Sequence, residues 1–166
     1  MHMMDLYNKL RESAVFQQFQ RQHSDYYLTH FFILLDELKQ SPWQIGYYSK
    51  EKDRMLCFEI DPETGSVEQG MEEEVFKKEE TVEPLEFKHV MDFAEALAVA
   101  EKFQRAQYPK EVVNQKICIL QCLSQGVVWN MTFVSAQLNV FNIKLKASTG
   151  EILHHTMESV LRFRKE

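Results

Sequence analysis

Hydrophobic and polar residues alternate along several short segments of the chain, which is the pattern of strands with one buried face. Segment 43–47 carries Trp, Ile and Tyr at alternate positions, and segment 129–133 carries Trp, Met and Phe in the same way. The pattern predicts further strands over Tyr26–Leu35, Met55–Ile60, Lys116–Leu123 and Val140–Leu145, with short final strands beginning at Val67 and Ile152.

Two other segments have the spacing of an amphipathic helix. Asp92 and Glu95 stand in the positions of an N-cap and a capping box, an apolar stripe follows them, and Pro109 comes after its end. Near the N-terminus the apolar stripe is comparable but less regular, and it consists of Leu6, Leu10, Phe16 and Phe19. We therefore predict one helix before each set of strands.

Several motifs recur in the same order at a spacing of 84 to 86 residues, which indicates an internal repeat. Phe-Gln-Arg at 19–21 recurs at 103–105, and the Trp segment recurs with its spacing intact. Ile33-Leu34 matches Ile119-Leu120, and Thr64-Gly65 matches Thr149-Gly150. The spacing of the matches changes only where turns are expected, as insertions in loops would produce. The order of the matches predicts that one unit was duplicated.

The predicted architecture is α+β, with two tandem repeats of a helix and an antiparallel four-stranded meander. Residues 3–77 form the first unit, residues 78–89 a polar linker, and residues 90–164 the second unit. We expect Trp43 and Trp129 to point into the interface between helix and sheet. Because both faces of each unit's first strand are apolar, we expect the units to pack as a pseudo-dimer, by continuation of the sheet or face to face.

The helix, the meander and the closing Thr-Gly hairpin resemble the PepSY family of cystatin-like domains. Segment Asp92–Ala100 reads like the alanine-rich helix that opens such domains. The family's apolar-x-apolar-x-x-x-Thr-Gly-x-apolar ending matches Ile143–Ile152 and again Phe58–Val67. The resemblance implies a tandem of cystatin-like domains without catalytic residues. Such domains bind or inhibit peptidases or sense a ligand, often at a cell envelope.

Charge changes the range of expected partners. The 166 residues carry a formal net charge of -6, and the densest charge, Glu68–Glu86, is mainly acidic. Neutralising phosphates needs clustered Lys and Arg, so neither nucleic acid nor an anionic membrane is expected as a partner. A basic peptide or protein surface fits better. No run of about 20 apolar residues and no signal-peptide pattern are visible, so a cytoplasmic location is expected.

The cysteines and histidines show no spacing in the sequence that is typical of a disulfide, a metal site or a catalytic site. Cys118 and Cys122 share one face of a predicted strand about 13 Å apart, too far for a disulfide or a shared metal. Cys57 is expected to be buried, and His154 and His155 should point to opposite faces of a strand. We therefore expect no catalytic site, metal or cofactor. A Cys-His or Ser-His pair brought together by the fold stays open.

The leading functional hypothesis is a non-catalytic module that binds a protein or peptide. Candidate contacts are Tyr48 and Val134, on the face opposite the Trp side chains, with burial between the units as the alternative. Glu72, Glu73 and Glu74 are candidates for a basic partner, with a solvated surface as the alternative. Two other hypotheses are a small-molecule site in an apolar cavity between helix and sheet, and an acidic immunity-type inhibitor of a basic enzyme.

Overall fold

A computed structural model of the chain describes residues 2–74 and 82–161. The helices in these ranges are α1 (Met3–Glu12), α2 (Ala14–Gln22) and α3 (Phe93–Gln107). The strands are β1 (Tyr27–Asp36), β2 (Trp43–Ser49), β3 (Arg54–Ile60), β4 (Val67–Glu74), β5 (Val113–Leu123), β6 (Gly126–Ser135), β7 (Asn139–Lys146) and β8 (Ile152–Ser159). The α+β class agrees with the prediction. None of these helices is long and apolar enough to span a membrane.

All eight strands belong to one antiparallel sheet with the order β4-β3-β2-β1-β5-β6-β7-β8. Strands β1 and β5 pair in the centre, with Phe32 opposite Ile119. From this central pair each half of the chain continues outward as a meander, so β4 and β8 form the two edges. The two sets of four strands thus share one sheet and do not stack face to face.

The three helices cover a single face of this sheet. Rings from all three pack on it: Tyr7 of α1 on Phe31, Phe16 of α2 on Phe58, and Phe93 of α3 on Trp129. One row of directly paired residues crosses the covered face, and every member has 0% exposure: Phe58, Ile45, Phe31, Leu120, Trp129 and Leu145. The core is continuous across the central strand pair, as one hydrophobic layer.

The N-terminal apolar stripe forms two helices, so the prediction of one helix there was wrong. Ser13 is extended (φ -69°, ψ 143°), and its hydroxyl accepts a hydrogen bond from the Phe16 N–H as the N-cap of α2. The chain bends at this residue, which explains the irregular spacing in the sequence. All four apolar residues of the stripe are nevertheless buried, at 0 to 3% exposure.

The capping box predicted at the start of α3 does not form. Asp92 occupies the N-cap position, but its carboxylate accepts a hydrogen bond from the backbone N–H of Met3, at 3.2 Å. It also contacts the ring of His2. Asp92 therefore satisfies the first turn of α1, where backbone N–H groups lack partners within the helix.

Part of the predicted polar linker packs into the core. Leu85 is 6% exposed and donates its N–H to the Leu28 carbonyl at 2.8 Å, and Phe87 stacks against both Tyr7 and Phe31. Residues 78–81 lie outside the described residues. The segment from Val82 to Asp92 is thus a structural element of the helical layer rather than a solvated tether.

Both predicted Thr-Gly turns are present between paired strands. Gly65 has φ +73° and Gly150 has φ +79°, backbone conformations that residues with a Cβ rarely adopt. The final strands β4 and β8 begin at Val67 and Ile152, as the pattern predicted.

One of the matched pairs in the sequence repeat is displaced by a single residue. Ile33 has 0% exposure on the covered face, whereas Ile119 lies opposite Phe32 on the other face. Because strand side chains alternate between faces, Ile33 and Ile119 do not occupy equivalent positions. Shifting the match by one residue, so that Phe32 corresponds to Ile119, places both on the same face.

Candidate functional site

The face of the sheet away from the helices, called the open face below, has an apolar centre. Phe32 and Leu34 of β1 pair with Ile119 and Ile117 of β5, and all four side chains are half-buried. No helix among residues 2–74 and 82–161 covers them. Four neighbouring, partly exposed apolar side chains at the middle of this face are a candidate contact surface.

A single row of directly paired residues crosses the open face over all eight strands. From edge to edge it reads Glu68, Glu59, Gln44, Phe32, Ile119, Asn130, Lys144 and His154. We call it the central row. It is apolar in the middle, carries amides on both sides, and ends in two carboxylates at one edge and in Lys and His at the other.

Amide side chains beside the apolar centre are held by hydrogen bonds. Asn130 donates to the Gln121 side chain at 3.1 Å, and Asn142 donates to Asn130 at 2.7 Å and to Thr132 at 3.2 Å. On the other side Gln44 donates to Glu59 at 3.3 Å. These contacts fix the side-chain orientations in advance, which lowers the conformational entropy that a partner would have to remove.

The structure buries the first two predicted contact residues to different extents. Tyr48 and Val134 both lie on the open face, as predicted. Tyr48 is only 1% exposed, since it packs against Tyr27 and its hydroxyl donates to Asp53. Its ring therefore has almost no surface for a partner in this conformation. Val134 is half-buried, beside Gln115 and Val140.

The three glutamates proposed for a basic partner lie in edge strand β4. Glu72 accepts a hydrogen bond from the Tyr26 hydroxyl, so it already has a partner in the chain. Glu73 is exposed and lies opposite Met55, and Glu74 pairs with Arg54 through its backbone. Carboxylates along an edge strand also discourage pairing with other strands, which gives this charge a structural role.

Cys57 and His30 flank Gly46 on the open face, a proximity that the sequence did not indicate. The His30 ring lies so close over Gly46 that a Cβ there would be 2.1 Å from the ring. Burial raises the pKa of the Cys57 thiol to about 11 and lowers the pKa of His30 to about 4. At neutral pH both groups are uncharged, the opposite of an activated thiolate–imidazolium pair. Cys57 is half-buried, less than expected.

The burial of His30 predicts a pH-dependent stability. Its pKa is about 4 in the folded chain, against an ordinary value of 6.5 when the chain is unfolded. Between these values the unfolded state binds more protons, so stability is present above pH 6.5 and is lost as the pH falls towards 4. From pH 7 to pH 4.5 we expect the free energy of unfolding in urea to fall by about 2 kcal/mol from this group.

His30→Asn is the matched variant, and its unfolding free energy should change much less over the same range. The carboxyl groups with lowered pKa lose their contribution only as the pH falls towards and below 3.8, so they perturb this window little. An equally steep decline in the variant would contradict the assignment to His30.

The remaining thiols and histidines do not form a site. Cys118 is buried in the core, where burial raises its thiol pKa to about 12, and no disulfide links the three cysteines. His155 packs against Phe103 of α3, whereas His154 lies opposite Lys144 on the open face, as predicted for adjacent strand residues. Within the described ranges no three His, Cys, Asp or Glu side chains are placed to hold a metal.

Two surface cavities lie at the ends of strands rather than between helix and sheet. One, of about 370 Å³, is lined by Asp36, Glu37, Leu38, Asn114 and Gln115. The other, of about 90 Å³, is lined by Pro42, Glu59, Asp61, Ser66 and Glu68. Most of the residues that line these two cavities are polar, unlike those of the apolar cavity that the small-molecule hypothesis requires.

The central residues of the open face were visible in the sequence only as an excess of apolar side chains. Phe32 and Leu34 alternate with Phe31 and Ile33, which predicted that both faces of β1 would need a cover. The missing information was that the second unit extends the sheet, which leaves this face without a cover among the described residues.

Comparisons with known proteins give a fold but no family. No family model and no curated protein matches the sequence. The crystal structure of a protein from Clostridium difficile 630, provisionally described as a lipoprotein, is similar with a TM-score of 0.60 and 17% sequence identity. The match covers 87% of this chain and 90% of that chain. The chain therefore shares its fold, over nearly its whole length, with that protein.

Proposed function

We propose that the chain is a non-catalytic binding module whose contact surface for a protein or peptide is the open face of the sheet. The apolar centre of that face carries the proposal. Phe32, Leu34, Ile117 and Ile119 lie together on it, half-buried, while the equivalent row on the other face is fully buried by helices. Covering these side chains would contribute about 25 cal/mol for each Å² of apolar surface removed from water.

The surroundings of this centre favour a macromolecular partner over a small ligand. The face spans eight strands, and the amides that flank its middle are already oriented by hydrogen bonds. An apolar centre with a polar rim is the usual anatomy of a protein–protein interface. Edge strand β4, with its glutamates, is less suited to strand addition than the open face is to lateral packing.

A test compares partner capture by the intact chain and by two single variants. Ile117→Lys places a charge in the apolar centre, and Ala98→Lys places the same charge on the exposed side of α3. We expect Ile117→Lys to reduce the recovered partner by about 30-fold, the size of a hot-spot loss. The measurement is quantitative mass spectrometry of proteins retained from a lysate of the source organism.

Ala98→Lys is the control, and it should retain the partner at the wild-type level. Circular dichroism and thermal melting should show that both variants are folded. If the wild-type chain and Ile117→Lys retained equal amounts of the partner, the open face would not be the contact surface. The intact chain is required because separated halves would expose the paired edges of β1 and β5.

We also propose that the two halves descend from one duplicated unit of the PepSY kind. Corresponding pairs support this: Trp43 lies opposite Ile60 as Trp129 lies opposite Leu145. The pairs Ile60–Val67 and Leu145–Ile152 begin the last hairpin of each half in the same way. Around the central pair, Phe31 lies opposite Leu120 and Ile33 opposite Cys118, as a two-fold relation through Phe32 and Ile119 requires.

The cytoplasmic location expected from the sequence stays a prediction. The similar protein from Clostridium difficile is provisionally described as a lipoprotein. The resemblance to PepSY domains also implies a place at the cell envelope. A binding module at either location would use the same surface. Fractionation of source cells with an antibody against the chain distinguishes the two.

A further inference from the structure

Charge is distributed unequally over the two sides of the open face. On one side, Glu59 of β3 and Glu68 and Glu73 of β4 form what we call the acidic wing. On the other side, Lys144 and Lys146 of β7 and His154 of β8 form the basic wing. The apolar centre lies between the wings.

Among residues 2–74 and 82–161 these charges have few partners. In the described ranges, Lys144, Lys146 and Glu68 form no ion pair, and Glu59 has only the hydrogen bond from Gln44. Glu59 and Glu68 lie directly opposite each other, a like-charge pair that destabilises an isolated sheet. Glu158, near the end of β8, is the acidic exception on the basic side.

The wings are placed symmetrically about the central strand pair. Glu59 lies in β3, the third strand on one side of the β1–β5 boundary, and Lys144 lies in β7, the third strand on the other side. Glu68 and His154 lie one strand further out in the same row. Glu59 and Lys144 carry opposite charges at equal distances from the centre, so the surface is complementary to itself.

We propose that the open face binds the open face of a second copy of this chain, about a two-fold axis parallel to β1 and β5. This assignment rests on the proposed function and names the partner. Such an axis places the acidic wing of each copy over the basic wing of the other, twice, and packs the two apolar centres together. A two-fold axis along the perpendicular direction would instead place Glu59 against Glu59, so charge selects one arrangement.

The size of the face is adequate for such an interface. Eight strands at ~4.8 Å spacing and four alternate rows make it about 34 Å by about 20 Å, close to the ~800 Å² that each partner contributes to a standard interface. Two sheets that pack face to face keep their strands aligned within about 30°, so the wings stay opposite each other. The half-burial of Phe32 and Ile119 in the single chain would become full burial in the pair.

Charge exchange between the wings tests this arrangement. Variant A carries Glu59→Lys and Glu68→Lys, so its acidic wing keeps only the carboxylate of Glu73 and both wings are net basic. Variant B carries Lys144→Glu and Lys146→Glu, so both of its wings are net acidic. We expect the wild-type chain to dimerise in sedimentation equilibrium over a concentration series. The dimer dissociation constant should rise about tenfold or more in A alone and in B alone.

A mixture of A and B should form a heterodimer of about wild-type affinity, because each basic wing then meets an acidic one. The chain with all four changes should dimerise again by itself. Ile119→Lys, in the apolar centre, should weaken the dimer by about 30-fold or more and should not be rescued by mixing with wild type. Thermal melting of A, B and Ile119→Lys verifies that each is folded.

Two outcomes would overturn the assignment. If the wild-type chain stays monomeric at every concentration, a second copy is not the partner. The same holds for this arrangement if a dimer forms but its dissociation constant is unchanged in variants A and B and in Ile119→Lys. Capture of a different protein that Ile117→Lys abolishes would then leave the proposed function standing. Capture that this substitution does not change would refute both.

Discussion

Replacing Trp129 by alanine is expected to lower the free energy of unfolding by about 3 to 5 kcal/mol, the range for deleting a large buried aromatic side chain. Trp129 has 0% exposure and packs against Phe93 of α3, with ring centroids 5.7 Å apart. Its indole N–H donates to the Met91 carbonyl at 2.9 Å. The substitution thus removes core volume and the bond that ties β6 to the chain entering α3. Urea unfolding monitored by circular dichroism measures the loss.

Trp129→Phe distinguishes the contribution of the indole hydrogen bond to stability from that of the core volume. The Phe variant keeps an aromatic ring but leaves the Met91 carbonyl without the indole donor, which we expect to add about 1 kcal/mol to the volume cost. Trp43→Phe is the matched control, because Trp43 is 7% exposed and contacts the same Phe93 ring. Its indole makes no hydrogen bond within the described residues. Equal losses in the two Phe variants would show that the indole bond contributes nothing measurable.

Phe58→Ala is expected to have a comparably large effect, about 3 to 4 kcal/mol. Phe58 has 0% exposure, and its ring lies within 6 Å of the rings of Phe16, Phe19 and Tyr47. Those contacts join α2 to β2 and β3, so the cavity would lie between the helix and the sheet. The change should appear as a lower midpoint in urea with an unchanged slope.

Phe32→Ala is the control for this prediction, because it removes the same atoms from the open face. Phe32 is half-buried, so part of its ring is already in water, and we expect a smaller loss of about 1 kcal/mol in the monomer. The free energy of unfolding should be measured at protein concentrations at which Ile119→Lys and the wild-type chain sediment alike, so that dimerisation does not contribute. Losses of equal size for Phe32 and Phe58 would contradict the view that only one face of the sheet is covered.

Local patterns predicted most of the secondary structure correctly. Alternation located the strands, and the Thr-Gly turns located the hairpins, because side-chain period and backbone φ are local properties. The helix predictions failed at two residues, one through a local cap and the other through a distant hydrogen bond. The Ser13 hydroxyl caps a second helix, α2, so the N-terminal stripe forms two helices. The Asp92 carboxylate accepts a hydrogen bond from the Met3 N–H instead of capping α3.

The candidate site was less predictable than the fold. Of the predicted contact residues, Tyr48 is buried by its own turn and Glu72 is engaged by Tyr26, neither of which spacing along the chain can indicate. The apolar residues of β1 predicted that both of its faces would be covered, whereas the helices of the described residues cover one of them. Which of those faces would stay without helices depended on how the two units join.

Side-chain alternation predicted the strands and the orientation of Trp43 and Trp129 towards the helices, and the Thr-Gly pairs predicted the last hairpin turn of each half, because these signals are local. Long-range packing set the pairing of β1 with β5, in which Phe32 lies opposite Ile119. That pairing aligns eight residues from eight strands into the central row and separates its carboxylates from Lys144 and His154. The reason is physical: register between distant strands depends on the packing of a whole face, and a shift of one residue would turn every side chain to the other side.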